Sequence, residues 1–235
     1  YGTSYERYYA GGKPEDLVVL DKSLPKVIAT SGAYAGFPVM NTSQQLVIGN
    51  GMPKWLAGFR NSFSYKGLSL SFLIDTRWKV DQFDQYGVWL AAFLKPDFTN
   101  DRNDVVIFDG VTADGQANNQ QVWLGQGIGP DGRDYAAGYY RNLQRVISEN
   151  FVYDASFVKL RNATLAYSLP KSWITPLHLK GVSVSTSVNN IILWTPWRNF
   201  DPESYSTGAG SNATALTGMG YPGAKSTFFS LNLTL

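Results

Sequence analysis

Residues 55–78 read WLAGFRNSFSYKGLSLSFLIDTRW, two stretches of eleven residues in which apolar and polar side chains alternate. Because successive side chains of a strand point to opposite faces, each stretch predicts a β-strand with one apolar and one polar face. Lys66-Gly67 separates the stretches and is typical of a two-residue hairpin turn, since glycine adopts a positive φ without strain. Across such a turn Tyr65 and Leu68 lie opposite each other, so the turn and the pattern predict the same register.

Three more stretches alternate in the same way: Phe157 to Leu169, Leu179 to Leu193 and Ser226 to Leu235. In the first of them the alternation changes phase near Asn162, which a β-bulge would explain. The lengths are close to the ~9–11 residues that a tilted strand needs to cross a bilayer. The pattern therefore predicts an all-β fold, a transmembrane antiparallel β-barrel.

The connections between these strands are strongly unequal in length. Two are short, at 66–67 and 170–178, whereas the segments 1–52, about 80–152 and 195–225 are long. Outer-membrane barrels have short periplasmic turns and long external loops flanked by aromatic residues at both interfaces. Aromatic residues are found at both ends of the predicted strands, on one side Tyr65, Tyr167 and Trp173, and on the other Trp55, Trp78 and Trp194.

These lengths predict the organisation of the chain. We expect 1–52 to be an external loop region preceding the strands, and 53–235 to hold the last five barrel strands with long external loops. Because bacterial membrane barrels have at least about 8 strands, further strands are expected to precede Tyr1. The strand Ser226 to Leu235 would then pair with the first strand of the barrel, which this chain lacks.

Composition excludes several classes of protein. Charged residues make up 16% of the chain, below the ~25% of an average soluble domain, and no apolar run reaches the ~18 residues of a transmembrane helix. The net charge is +2 without a basic cluster, so nucleic acid is not an expected partner. There are no cysteines, which excludes disulfides and thiolate metal sites.

Several groups of residues, in sequence order, resemble the late barrel of the SusC/RagA-type TonB-dependent transporters. They are Ile48-Gly49-Asn50, Pro53-Lys54-Trp55, Gly58-Phe59, Asn61 to Gly67, Leu70 to Asp75 with Arg77, Tyr153 to Asn162, Tyr167 to Pro170, Asn189-Asn190, Trp194-Thr195, Phe200 to Glu203, and Tyr221-Pro222. The resemblance covers about residues 48 to 235. Two features depart from the family: Lys79-Val80 replaces the usual Gly-Gly, and the chain ends in Leu235 where barrels commonly have an aromatic residue.

The resemblance implies a roughly 22-stranded barrel with a plugged lumen in the outer membrane. Its members import glycans or peptides, usually beneath a SusD-like surface lipoprotein that acts as a lid. The plug and the segment that contacts TonB would lie N-terminal to this chain. The resemblance therefore implies TonB-dependent import of an oligomeric nutrient, with the long segment at about 80–152 contacting the lid.

Catalysis and metal binding are poorly supported by the residues present. His178 is the only histidine, so a Ser-His-Asp triad could be argued only as a single guess around it, and no enzyme activity is expected. A calcium site could be considered at the four aspartates Asp101, Asp104, Asp109 and Asp114. Their spacing differs from that of an EF-hand loop and fits solvated turns instead. No cofactor is expected.

Candidate substrate-binding residues are few. Asp75 and Arg77 occupy the polar, lumen-facing positions of the second strand and are expected to contact either substrate or the plug. Trp197 and Phe200 are candidate stacking platforms, and the motif 200–203 is expected to fix the last long loop at the barrel rim. The alternative function is a soluble envelope β-sandwich that binds carbohydrate through Trp197, Phe200 and Tyr205.

The apolar face of the predicted hairpin is expected to meet lipid. Phe59, Phe63, Leu70, Phe72 and Ile74 share it across the predicted hairpin, so they are expected to contact outer-membrane lipid.

Overall fold

The computed structural model describes residues 1–197, 200–204, 215–218 and 223–235. Strands and α-helices follow one another as β1 (Trp55–Tyr65), β2 (Leu68–Trp78), β3 (Asp81–Phe83), α1 (Gln85–Ala92), β4 (Val105–Ile107), β5 (Gln121–Trp123), α2 (Tyr139–Asn142), β6 (Val152–Asp154), β7 (Phe157–Ser168), α3 (Lys171–Ile174), β8 (Gly181–Trp194) and β9 (Ser226–Thr234). Short 3-10 helices lie at Asp97–Thr99, Gln144–Val146, Ser148–Phe151 and Thr175–Leu177.

Five long strands form one antiparallel sheet in the order β1-β2-β7-β8-β9. Tyr65 lies opposite Leu68, and Trp55 lies opposite Trp78, so the hairpin has the predicted register. The three later strands end within two residues of their predicted limits. The all-β antiparallel fold is thereby confirmed.

The hairpin turn depends on two residues with left-handed backbone conformations. Lys66 has φ 45° and Gly67 has φ 85°, which matches the turn whose twist suits a two-residue β-hairpin. A Cβ on Gly67 would stand 2.7 Å from the carbonyl oxygen of Ser168. Ser168 is held in place because its amide donates to the carbonyl oxygen of Gly67 at 2.8 Å. The position therefore requires glycine for both conformation and space.

The predicted bulge in the third long strand is confirmed. Leu73 of β2 pairs with Asn162, but the next residue, Ile74, pairs with Leu160, so Arg161 is the extra residue of β7. Level with Arg161 on β8, Asn190 has φ 59°. Because of the extra residue, Leu160 and Asn162 pair with neighbouring residues of β2 and so point to opposite faces, which is why the alternation changes phase here.

The apolar face of this sheet is exposed along much of its length. Exposed large apolar side chains on it include Phe59, Phe63, Leu70, Leu165, Val184, Phe229, Leu231 and Leu233. A β-sandwich would bury that face against a second sheet. The observed sheet therefore favours a barrel segment over the alternative of a soluble sandwich. Outward-facing Trp55, Trp78 and Trp194 stack in a row at one end, with ring centroids 5.8 and 5.0 Å apart.

The chain divides into two compact units, and the sheet belongs to the one that contains residues 51–81, 154–197, 200–204 and 223–235 (the sheet unit). Residues 1–50, 82–153 and 215–218 form the other, which we call the loop-rich unit. Within the loop-rich unit the first fifty residues are held to the later segment by isolated bridges such as that between Val27 and Val111.

The loop-rich unit has its own hydrophobic core. Tyr5 and Phe37 from the first segment pack in one buried cluster with Val122, Leu124, Tyr135, Tyr140, Leu143 and Ile147 from the second. A buried ion pair adds to it, with Arg7 Nη2 2.8 Å from Glu149 Oε1. The two long segments are therefore not independent loops but parts of one folded body. None of the helices in the described part of the chain is long and apolar enough to cross a membrane.

Candidate functional site

The polar face of the sheet carries a cluster of charged side chains near the end where β2 finishes. It consists of three carboxylates and three cations, which balance in formal charge, and we call it the charge cluster: Asp75, Arg77, Lys159, Arg161, Asp201 and Glu203. The first four belong to β2 and β7, and the last two to the segment 200–204. The cluster therefore joins the sheet to a segment more than forty residues further along the chain.

Arg161 reaches both sides of the cluster because it sits in the bulge of β7. Its guanidinium donates to Asp75 Oδ2 from Nη2 at 2.6 Å and from Nε at 3.0 Å. It also forms a two-pronged pair with Glu203, from Nη1 to Oε2 at 2.5 Å and from Nη2 to Oε1 at 2.6 Å. Bidentate arginine–carboxylate pairs are the strongest and most directional of the ion pairs in proteins.

Lys159 is the most deeply buried cation of the cluster, with its side chain 4% exposed. Its ammonium group donates to Glu203 Oε2 at 2.5 Å and to Asp201 Oδ1 at 3.3 Å. A buried charge is costly unless it is paired and hydrogen-bonded. The two carboxylates together compensate the buried positive charge of Lys159.

Asp201 connects the cluster to the beginning of the last strand. One of its oxygens, Oδ1, accepts from the Glu203 amide at 3.1 Å as well as from Lys159. The other, Oδ2, accepts from the Gly223 amide at 2.9 Å, three residues before β9. The segment 200–204 is thus tied to β7 on one side and to the residue three positions before β9 on the other.

The electrostatics of Glu203 follow from these contacts. Burial alone would raise the pKa of its carboxyl, but hydrogen bonds from Arg161 and Lys159 outweigh burial and lower the pKa to about 2. Glu203 is therefore ionised throughout the physiological pH range and suits charge pairing rather than proton transfer.

A ladder of uncharged polar side chains continues across the same face. Asn162 Nδ2 donates to Asn189 Oδ1 at 2.8 Å, and Asn189 Nδ2 donates to Ser226 Oγ at 3.2 Å. These bonds link β7, β8 and β9. The bulge places Asn162 on the polar face, so the same irregularity supports both the ladder and the charge cluster.

The four predicted site residues have different surroundings. Asp75 accepts from Arg161, and Arg77 lies 3.8 Å from Glu203 Oε1 with its guanidinium 5.6 Å from the centre of the Phe157 ring. Trp197 and Phe200 stack on each other, with ring centroids 4.7 Å apart and planes at 22°.

Other residues considered from the sequence fall outside this site or outside the described residues. Tyr205 and the motif Tyr221-Pro222 are not among the described residues. His178 is exposed and ends the 3-10 helix Thr175–Leu177 with φ 58°. The described part of the chain holds no group of three or more His, Asp or Glu side chains arranged to bind a metal ion.

Lys159 and Arg161 are the members of the charge cluster on β7 that sequence reasoning did not select as site residues. Both are charges on a strand whose alternation changes phase, but their partners Asp201 and Glu203 lie more than 40 residues further along the chain, beyond β8. The available signal was the combination of two cations at a predicted bulge with an acidic motif in the following loop.

Comparison with known proteins gives a consistent result. No protein-family model matches the chain. Three TonB-dependent receptors of Formosa agariphila are similar to it: P3 at 22% identity over 99% of the chain, P39 at 25% over 71%, and P26 at 24% over 85%. The chain spans 22%, 15% and 19% of the lengths of these relatives, respectively.

Solved structures give the same fold. The RagAB peptide importer in its closed-closed state matches 99% of the chain with a TM-score of 0.53 at 17% identity, and the open-open state matches 100% with 0.53 at 16%. In each case the chain covers 22% of the matched protein.

A sheet of long antiparallel strands with an exposed apolar face and a polar face that bears charges defines a segment of a transmembrane β-barrel. The sequence is similar to those of TonB-dependent receptors, and the fold matches that of the RagAB structures, as a C-terminal barrel segment of the SusC/RagA type would.

Proposed function

We propose that this chain is the C-terminal barrel segment of a protein that imports an oligomeric nutrient, a glycan or a peptide, across the outer membrane at the expense of TonB-delivered energy. The observation that carries the proposal is the continuous five-stranded sheet with an exposed apolar face, which is the face that a barrel strand presents to lipid. The similarity to TonB-dependent receptors supports the same reading. The chain would cross the membrane five times, with TonB contacted through a region N-terminal to it.

Within that function we assign the charge cluster the role of a clasp. It holds the segment 200–204 against the strands and so fixes the end of the last long connection where we place the barrel rim. Asp75 and Arg77 then act on substrate through the position of the rim rather than by direct contact. Trp197 and Phe200 form one stacked unit that is available to line the mouth of the channel.

The test is nutrient uptake by cells that produce the full-length protein. Removal of the gene should abolish uptake of one oligomer class, and a protonophore should abolish it in cells that retain the gene. Labelled oligopeptides and labelled oligosaccharides, supplied in parallel, distinguish the two substrate classes. Energy-independent uptake, or uptake unchanged after removal of the gene, would contradict the proposal.

We further propose that the loop-rich unit contacts a SusD-like surface lipoprotein. Helix α1 supports this, because Tyr86, Trp89 and Phe93 follow one another at helical spacing and are 37%, 53% and 63% exposed. Exposed aromatic side chains are enriched at protein interfaces and among the residues that dominate binding energy. Gly87 and Ala91, on the other side of the helix, are buried.

Point variants test this contact better than deletion of residues 82–153, which would expose the core shared with the first segment. The double variant Trp89→Ser and Phe93→Ser should lose the lipoprotein on affinity purification of the full-length protein. Ile128→Ser, at another exposed apolar position of the same unit, is the matched control and should retain it. Equal recovery of the lipoprotein with both variants would show that α1 is not the contact.

A further inference from the structure

Helix α1 is too short to be stable through its own hydrogen bonds. It has eight residues, whereas isolated helices shorter than about 12–15 residues are marginal in water. Its first turn holds no acidic residue and its last turn no basic one, so its own charges do not offset the helix dipole. The folded state of α1 therefore depends on its cap and on its packing.

The N-cap residue is Asp84, and Gly87 leaves room for its carboxylate. Asp84 Oδ1 accepts from the Gly87 amide at 2.8 Å. Gly87 is buried, and a Cβ at this position would meet Asp84 Oδ2. Burial raises the pKa of Asp84, and hydrogen bonds from the Gly87 amide and the Thr217 hydroxyl oppose that rise by favouring the ionised carboxylate. Because negative charge is favourable at a helix N-terminus, these donors stabilise the cap of α1.

Residues 215–218, which we call the strap, reach this cap from the connection between β8 and β9. The Phe83 amide donates to Ala215 O at 2.8 Å, and the Thr217 amide donates to Phe83 O at 3.0 Å. Leu216 and Phe83 are partners in a parallel bridge. The strap therefore lies beside the last residue of β3, which directly precedes the cap of α1.

Thr217 is the residue through which the strap contacts the cap. It is fully buried, and its Oγ1 lies 3.3 Å from Asp84 Oδ1 and 3.2 Å from Phe83 O. A hydroxyl has a single proton, so the two acceptors share one donor. Among the described residues, Thr217 is the one whose side chain donates to Asp84, across a separation of 133 positions.

We propose that the strap holds α1 in the capped state that presents Trp89 and Phe93, with Thr217 as a positioning residue that acts through Asp84. This role rests on the proposed contact between α1 and the surface lipoprotein, and it adds a device that regulates that contact. A partner that binds only the capped helix is bound more weakly when less of the helix is capped. By the same linkage, binding at α1 stabilises the strap.

The first measurement is hydrogen exchange in the full-length protein in detergent, read by mass spectrometry. Thr217→Val keeps the shape of the buried side chain and removes its hydroxyl. Amides of residues 85–92 should exchange about threefold faster or more, because the lost hydrogen bond to a carboxylate favours local opening. Thr217→Ser keeps the hydroxyl and should stay closer to the unmodified protein. Thr42→Val, at an exposed position of the same unit, is the matched control and should leave exchange in α1 unchanged.

The second measurement is the affinity for the lipoprotein that co-purifies with the unmodified protein, isolated and immobilised for interferometry. Thr217→Val should weaken binding about twofold or more, because a smaller fraction of α1 is capped. In the double variant Trp89→Ser and Phe93→Ser, which already lacks the contact, the same substitution should have no further effect on the affinity. General damage to the fold would weaken binding in both backgrounds and would contradict a role through α1.

The lipoprotein also provides the reciprocal test. Its addition should slow exchange of residues 215–218 in the unmodified protein but not in the double variant Trp89→Ser and Phe93→Ser. Equal exchange of the strap with and without bound lipoprotein would contradict the linkage.

The outcomes separate a failure of the strap from a failure of the proposed contact. Unchanged exchange of α1 in Thr217→Val would show that the strap does not hold the cap. An affinity that falls in the double variant but not in Thr217→Val would show that the strap does not regulate the contact. Faster exchange of α1 with an affinity that neither change alters would show that the lipoprotein binds elsewhere, and the strap would then have no role in its binding.

Discussion

Glu203 is the residue on which the charge cluster depends most. Its two oxygens accept from Lys159 and from both terminal nitrogens of Arg161, and Arg77 lies within 3.8 Å. Breaking a buried ion pair by removing one partner is destabilising because it leaves the other charge without compensation. The contribution of this carboxylate is therefore larger than that of an ordinary surface salt bridge.

Replacing Glu203 with Gln should loosen the clasp without changing the shape of the side chain. We expect a loss of about 3–5 kcal/mol, because Lys159 and Arg161 keep their charges and lose a shared partner. The measurement is heat-modifiable gel mobility of the full-length protein, together with protease cleavage within residues 195–225. Glu15→Gln, at an exposed position, is the matched control. Identical melting and cleavage for the two variants would contradict the role assigned to Glu203.

The same residue predicts a pH dependence. The pKa of Glu203 falls from its ordinary value of 4.5 to about 2 on folding, so its stabilisation is fully present above the ordinary value and disappears as the pH falls toward 2. The difference in melting temperature between the unmodified protein and Glu203→Gln should therefore be constant at neutral pH and shrink below about pH 4. A difference in melting temperature that stays constant down to about pH 2 would mean that Glu203 is not paired as described.

Neighbouring residues of β2 test which face meets lipid. Phe72 belongs to the apolar face and Ser71 to the polar face. Arginine at a lipid-facing position near the bilayer midplane costs roughly 2–4 kcal/mol, whereas a lumen-facing position is far more tolerant. Phe72→Arg should therefore lower the folded fraction measured by gel mobility, and Ser71→Arg should change it little. Similar losses at both positions would exclude a lipid-facing assignment for Phe72.

At the scale of elements, the hairpin of β1 and β2 could be predicted because two local signals agree. A two-residue turn with glycine fixes the register, and strict alternation fixes the faces. The bulge in β7 was also readable, since an extra residue in a strand leaves a phase change in the sequence. Both features depend on residues close to each other in the chain.

The turn itself carries a prediction. Gly67→Ala should destabilise the hairpin by about 1–3 kcal/mol, because alanine is strained at φ 85° and its Cβ would meet the Ser168 carbonyl oxygen. Gly58→Ala within β1 is the control, since no atom lies within 4 Å of a Cβ there. Refolding yield into detergent micelles, read by gel mobility, compares the two. Greater damage from the β1 variant would contradict the requirement at the turn.

The remaining elements could not be predicted because their contacts join distant parts of the chain. The core of the loop-rich unit packs Tyr5 against residues more than 100 positions away, and much of the unit is held by isolated bridges without a strand period. The charge cluster likewise pairs Lys159 with Glu203, which lies 44 positions further along the chain. Aperiodic segments of this kind give the sequence no repeating pattern from which to read their partners.

At the scale of the whole molecule, the outer edges of β1 and β9 determine whether the sheet needs further strands to pair with. Within the described residues, neither edge has a neighbouring strand. In hydrocarbon each unsatisfied backbone amide or carbonyl costs several kcal/mol, which is why spanning β-structures are closed. With eleven residues in β1 and nine in β9, open edges in a bilayer would be prohibitively costly. We therefore propose that other strands of a longer protein pair with both edges, β9 meeting the first strand of the barrel.

This proposal predicts the behaviour of the 235-residue chain when it is produced alone. Its edges and its exposed apolar face should drive aggregation or leave it unfolded, in detergent as well as in buffer, because five strands cannot close a membrane barrel. The measurements are far-UV circular dichroism during heating, size-exclusion chromatography and heat-modifiable gel mobility, with the full-length protein as the control that folds. A monodisperse monomer that unfolds cooperatively without detergent would mean that the sheet is complete as it stands, and the barrel assignment of its apolar face would have to be abandoned.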